Sequence, residues 1–310
     1  MKRLAVLLVL AAPARADTLV DHVEGVTTDA QGQAERFTGM VISPEGKVVR
    51  LLHRGDKRPD TVTYMVDGKG AVLVPGMVDS HASVMALGLS TLLLDLSPAR
   101  SLTEAQARVG AWAAAHPDKP WVMGQGWDAL GWNLPREPGA ADLDAVVADR
   151  PVLLLDAEGE AGWANSAALK AAGLAGKAQP AGLLRDAALA QLRKAAPQPR
   201  PEDRDLAFAA AQTMLIERGI TAVADMGTGI ADWQTYRRAG DLGQLRLRIV
   251  AYAGSLDDMV LIAGPAPTPW LYGDRLRLSG LSLVLDGPLA MRTAASVSYT
   301  HLTLPTNREV

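Results

Sequence analysis

Val74-Pro75-Gly76-Met77-Val78-Asp79-Ser80-His81-Ala82-Ser83 is the stretch on which the reading of this chain turns. Ala71 to Val78 reads as a buried strand that ends abruptly on Asp79, Ser80 and His81. In barrel enzymes, polar side chains at the C-terminal end of a strand are where the chemistry sits. A serine nucleophile built on Ser80 or Ser83 with His81 is disfavoured; Ser80 adjoins His81, and adjacent strand residues point to opposite faces.

Downstream of this strand the pattern changes. Ser101-Leu102-Thr103-Glu104 is a capping box that opens a helix to about Ala115. Trp121 to Asp128 and Pro151 to Leu155 read as strands, and Asn165 to Ala172 and Leu183 to Ala196 as helices. Pro197-Gln198-Pro199-Arg200-Pro201 is a break. From Glu202 the order is regular: a helix to Arg218 closed by Gly219, a strand at Ile220 to Asp225, a helix near Asp232 to Ala239. The strand Leu245 to Tyr252, a helix at Ser255 to Ile262 and a strand at Leu281 to Asp286 follow. Helices closed by glycine and followed by short apolar strands are βα units of a parallel sheet. Four units are expected, from strands near Ala71, Ile220, Leu245 and Leu281, with about 90–201 inserted after the first.

Upstream, Asp17 to Lys69 alternates short apolar runs with Gly, Pro and Asp clusters, which predicts an antiparallel sheet in a small β-sandwich. Met1 to Ala16 has a basic start (Lys2, Arg3), an apolar run (Leu4 to Ala12) and a small-x-small site (Ala14-Arg15-Ala16), as a secretory signal peptide does. The expected location is periplasmic or secreted, with no membrane contact after cleavage. The 310 residues include no cysteine, so disulfides and thiolate metal ligands are excluded. The 31 basic and 34 acidic residues form no basic stripe, which argues against nucleic acid and leaves a small-molecule substrate as the expected partner. Val297 to Thr306 can be back-translated into the read-through of a sequencing adapter. Natural sequence is therefore expected to stop near Ala295, with 296–310 an artefactual tail.

The motif order resembles amidohydrolase family 3, an exported branch of the metal-dependent amidohydrolases. Its carriers are Pro75 to His81, Gly124-Gln125-Gly126-Trp127-Asp128, Gly162 to Leu169, Gly219 to Gly227 and Asp286 to Ala295. The resemblance implies an α/β fold, a (β/α)8 TIM barrel, here truncated to about its first four β/α units over 71–295, beside the sandwich part at 17–70. It also implies metal-dependent hydrolysis of non-peptide amide or cyclic amide C–N bonds, with zinc or another divalent metal as cofactor.

The ligand set departs from that family. His81 is the surviving metal ligand. Ser83 and Ser282 occupy expected ligand positions, and Glu158-Gly159-Glu160 stands where the family has Asp-Gly-His. The later histidines and final aspartate of the family would fall beyond Ala295. A catalytic zinc takes about three protein ligands, so no catalytic set is intact and the chain is expected to bind no metal and to be inactive. The alternative is a non-catalytic periplasmic small-molecule binding protein. Trp127 and Asp128 either line a substrate pocket or anchor packing. Trp163 and Asn165 either form a pocket element or, for Asn165, cap the next helix. Asp286 with Arg292 is read as a substrate-orienting pair. His53 and His116 are read as solvent histidines.

Overall fold

The computed structural model describes residues 17–284, except 129, 130, 133, 135, 158 and 177–181. They divide into two compact units, one up to Met77 and one from Val78.

The first unit is one five-stranded sheet: β1 (Thr18–Thr28), β2 (Ala34–Ile42), β3 (Val48–Leu52), β4 (Tyr64–Asp67) and β5 (Val72–Leu73). Its order is β3-β2-β1-β4, with β5 also on β1. The hairpin pairs are antiparallel, whereas β4 and β5 run parallel to β1. The expected antiparallel sheet is thus mixed and, among the described residues, has a single layer. Phe37 lies over Gly25, where a Cβ would come within 2.2 Å of its ring. Beside the small core of Leu19, Val41 and Leu52, the buried Asp21 is held by Arg58 through three contacts of 2.7 to 3.1 Å. That guanidinium holds the Asp21 carboxyl below its ordinary range.

The second unit contains two sheets. β6 (Met77–Ala82) and α1 (Val84–Ser90) lead into β7 (Leu94–Asp95), α2 (Leu102–Ala115), β8 (Val122–Trp127) and α3 (Ala140–Asp144). Then come β9 (Val152–Asp156), β10 (Ala161–Ala164), α4 (Ser166–Ala171), β11 (Leu183–Arg185) and α5 (Asp186–Ala195). The sheet order is β11-β10-β9-β8-β7, parallel over β7 to β9 and antiparallel at β10 and β11. β9 shows why it reads as an unbroken apolar run: Val152 and Leu154 enter one core, Leu153 the other. Arg150 closes the C-terminal end of α2 by donating to the carbonyls of Ala113, His116 and Lys119.

The other sheet is built from α6 (Pro201–Glu217), β12 (Ile220–Thr228), α7 (Ile230–Asp241), β13 (Arg248–Ala253), α8 (Leu256–Ile262) and β14 (Leu276–Leu281). The order is β14-β13-β12-β6, with β12, β13 and β14 mutually parallel. Val223, Ile249, Ala251 and Leu276 pack beneath Val84, Phe208, Ala211, Trp233 and Tyr236 of α1, α6 and α7. The alternate residues Ala222, Ala224, Val250 and Tyr252 stay half-buried. Gln212 joins α6 to the approach of β13: its amide donates to the Gln244 carbonyl and accepts the N–H groups of Arg246 and Leu247.

Three expectations need correction. The strand from Ala71 to Val78 is two short pieces, β5 and β6, split at Val74-Pro75-Gly76 and largely exposed. Proline supplies no ladder N–H, which accounts for the split. The last strand among the described residues runs over Leu276–Leu281, ending where Leu281 to Asp286 was expected to begin, because Leu276 and Leu278 fill the core at period two. Leu183 to Ala196 opens with β11 before it turns helical.

Candidate active site at the strand ends

The site is built where β6 hands over to α1. His81 is exposed, and its backbone N–H donates to Asp79 Oδ1 at 3.0 Å. Ser83 is the N-cap residue of α1 but its hydroxyl makes no capping bond. A more distant carboxylate does that work: Val84 N–H donates to Asp225 Oδ1 at 2.7 Å.

Asp225 lies on β12 and is 3% exposed. Its Oδ2 accepts from Thr228 Oγ1 at 2.7 Å and from Tyr236 OH at 2.8 Å. Burial pushes this carboxyl above its ordinary value, partly offset by those three donors, and the charge of Asp232 adds to the rise. Tyr236, fully buried, is pushed well up for the same first reason. Between the helices, Arg204 of α6 pairs with Asp232 of α7 at 2.6 Å, and Asp258 Oδ1 of α8 accepts the N–H of Ile230 at the start of α7 at 3.0 Å. Ser255 Oγ donates to the other oxygen of Asp258 at 2.6 Å. Burial also raises the Asp232 carboxyl. These carboxylates tie the helices to one another and to β12. The sequence signal for Asp225 was an acid closing an apolar strand, and no role was read from it.

Ser282 directly follows β14 and donates its N–H to the Ala253 carbonyl at 2.9 Å. Asp286 and Arg292 lie outside the described residues, as does Glu158. Glu160 donates its N–H to Asp156 Oδ1 at 2.7 Å. Among the described residues, no three His, Cys, Asp or Glu side chains are grouped to hold a metal ion. His81 with two serine hydroxyls does not fit a catalytic divalent metal.

The remaining predicted residues lie in the β7–β11 sheet. Trp127, 4% exposed, donates Nε1–H to the Leu154 carbonyl at 2.9 Å. Trp163, wholly buried, donates to the Gly139 carbonyl at 2.8 Å. With Trp132 they form a triangle of rings whose centroids are 6.2 to 6.4 Å apart. Asn165, also wholly buried, accepts from Ala168 N–H as the N-cap of α4 and from Val152 N–H. Its amide donates to the carbonyls of Val147 and Arg150, so all its capacity is used. Asp128 is exposed and accepts Gly131 N–H at 3.0 Å. The structure thus brings Trp127 and Trp163 together in a core, and places His81 and Ser83 on a different sheet. His53 is exposed beside Glu35, whereas His116 is half-buried and stacked on Trp112 at 4.2 Å.

Parallel strands backed by helices, with polar residues at the strand ends, define a mixed α/β fold. The family profile described as the amidohydrolase family matches residues 65–306, and the chain belongs to that family. A structure of an uncharacterized metal-dependent hydrolase from Pyrococcus horikoshii superposes with a TM-score of 0.68 at 24% identity, over 90% of this chain and 56% of that one. The N-substituted formamide deformylase of Arthrobacter pascens is 29% identical over 252 residues, covering 74% of this chain and 46% of the relative. The exoenzymes regulatory protein AepA of Pectobacterium carotovorum subsp. carotovorum is 32% identical over 139 residues, 43% of this chain and 30% of that protein. The chain therefore spans less than half the length of these two relatives.

Proposed function

We propose that the four strands β6, β12, β13 and β14 are the first half of a (β/α)8 barrel whose family-level chemistry is metal-dependent hydrolysis of non-peptide C–N bonds. Membership of the amidohydrolase family supports that chemistry. The deformylase relative, by its name, acts on N-substituted formamides, an amide of this class. Zinc or another divalent ion is the cofactor at family level. The protein is exported to the periplasm and takes a small-molecule amide.

This chain itself is inactive. One observation carries that reading: His81 stands on β6 with Ser83, an alcohol, where a second imidazole would complete the pair. A neutral hydroxyl is a weak zinc ligand, and three protein ligands are the working minimum. The test is zinc uptake after dialysis, measured by elemental analysis, together with hydrolysis of an N-substituted formamide. Substoichiometric zinc and no turnover above the blank are expected. Stoichiometric zinc with hydrolysis that a chelator abolishes would sink the idea.

The second reading is metal-free binding of a small molecule in the periplasm. It is favoured by Ser83, Glu160 and Ser282, none of which supplies an imidazole or a lysine where the family's metal ligands are expected.

A further inference from the structure

A cleft of about 410 Å³ lies far along α1 from the residues just discussed. His81 and Ser83 precede α1, whereas the cleft is walled by Ser90 and Thr91 at its other end, a helix of seven residues or roughly 10 Å away. The facing wall comes from three neighbouring parallel strands: Asp95 ends β7, Gln125 and Gly126 lie near the end of β8, and Ala157 follows β9. The carboxyl ends of parallel strands are where open α/β sheets hold ligands.

Three of the five polar side chains lining the cleft, Ser90, Thr91 and Asp95, can only accept from a ligand, while Gln125 and Ser97 can also donate. Ser90 Oγ donates its proton to the Leu87 carbonyl at 2.6 Å, and Thr91 Oγ1 donates to the Gly88 carbonyl at 2.7 Å. A hydroxyl has one proton, so toward a ligand both oxygens can only accept. Asp95 Oδ1 accepts Ser97 N–H at 2.9 Å, and Oδ2 takes no other bond among the described residues. Among the described residues no lysine, arginine or histidine lines the cleft, while Leu93, Ala157 and Met214 supply an apolar floor. The turn holding Asp95 is set before any ligand arrives. Gly126, at φ +86°, lets Ser97 approach so closely that a Cβ would sit 3.0 Å from the Ser97 nitrogen.

We infer that this cleft binds a small organic cation with a short apolar stem, an alkylammonium or alkylguanidinium. The cation's N–H groups meet Asp95, Ser90 and Thr91, and its stem lies along Leu93 and Met214. The inference is independent of the hydrolase reading.

The test uses the full chain with 13C-methyl methionine, the Met214 resonance being assigned through Met214→Leu. Titration with n-butylammonium chloride is expected to shift that resonance saturably, with a dissociation constant in the millimolar range. Butan-1-ol and butyrate at equal concentration are expected to leave it in place. Asp95→Asn keeps an oxygen for Ser97 N–H and is expected to weaken binding about fivefold, the scale of one exposed charge contact. Thr91→Val removes one acceptor without touching charge and is expected to weaken binding in the same direction. If Asp95→Asn loses its far-UV circular dichroism, Thr91→Val decides the matter. Equal shifts with butan-1-ol, or undiminished affinity in the folded variants, would overturn the proposal.

Discussion

Asp225 illustrates how one side chain can hold a helix start to a neighbouring strand. Its three donors come from α1, from its own strand and from α7. Asp225→Ala would leave a buried N–H and two buried hydroxyls unmet, and should cost about 3 kcal/mol in a urea titration. Because burial raises its carboxyl, the native state keeps this proton to higher pH than the unfolded chain does. Its contribution therefore favours the fold below its ordinary value near about 4 and fades as pH rises through the raised one. Asp225→Asn, with both hydroxyls turned to accept, should keep the fold and flatten that slope between acid and neutral pH. A steeper slope in the variant would contradict the assignment. Asn165→Ala, which empties four hydrogen bonds in one step, should cost at least as much, read by the same titration.

Among the elements, α1 is the most dependent on its neighbours. At seven residues it is too short to persist alone. It is held by a backbone-close crossing with α6, where a Cβ on Gly88 would sit 2.2 Å from the Ala207 carbonyl oxygen. Gly88→Ala should push the helices apart and lower stability by about 1–3 kcal/mol, visible as a reduced thermal midpoint. An unchanged midpoint would mean that the crossing is loose. Ser101→Ala should cost about 1 kcal/mol, because Ser101 Oγ accepts Glu104 N–H at the start of α2. That cap was legible, as were α6, β12 and α7, where glycine closes each helix and apolar residues recur at the right period. The place of β14 was not. Leu281 to Leu285 looks more strand-like than Leu276 to Leu281, whose inward positions alternate with Arg277 and Ser279. Local composition misled, and tertiary packing on β13 decided.

At the scale of the whole molecule, two buried carboxylates answer acid with opposite sign. Arg58 holds Asp21 low, so that pair contributes fully above about pH 4 and its share is lost as pH falls below it. Asp225 in the second unit has the opposite sign. Arg58→Ala should therefore lower stability at neutral pH and remove the Asp21 pair's share of the acid dependence, read by urea titrations at neutral and acid pH. An acid dependence unchanged in the variant would refute that assignment. Family membership was legible from motif order, and packing for Trp127 and a helix cap for Asn165 were among the readings, but the motif could not choose them over a pocket role. A motif records which residues recur together, whereas burial decides whether they face a core or a ligand. The indole triangle has a practical consequence for such experiments. Five of the 7 tryptophans (Trp112, Trp121, Trp127, Trp132 and Trp163) fall in the β7–β11 region, and none lies between Asp17 and Met77. Rings about 6 Å apart couple excitonically and exchange excitation, so emission reports chiefly on that inserted sheet. The first unit, with Tyr64 as its one phenol, melts in the dark at tryptophan wavelengths, and its loss must be followed by another chromophore.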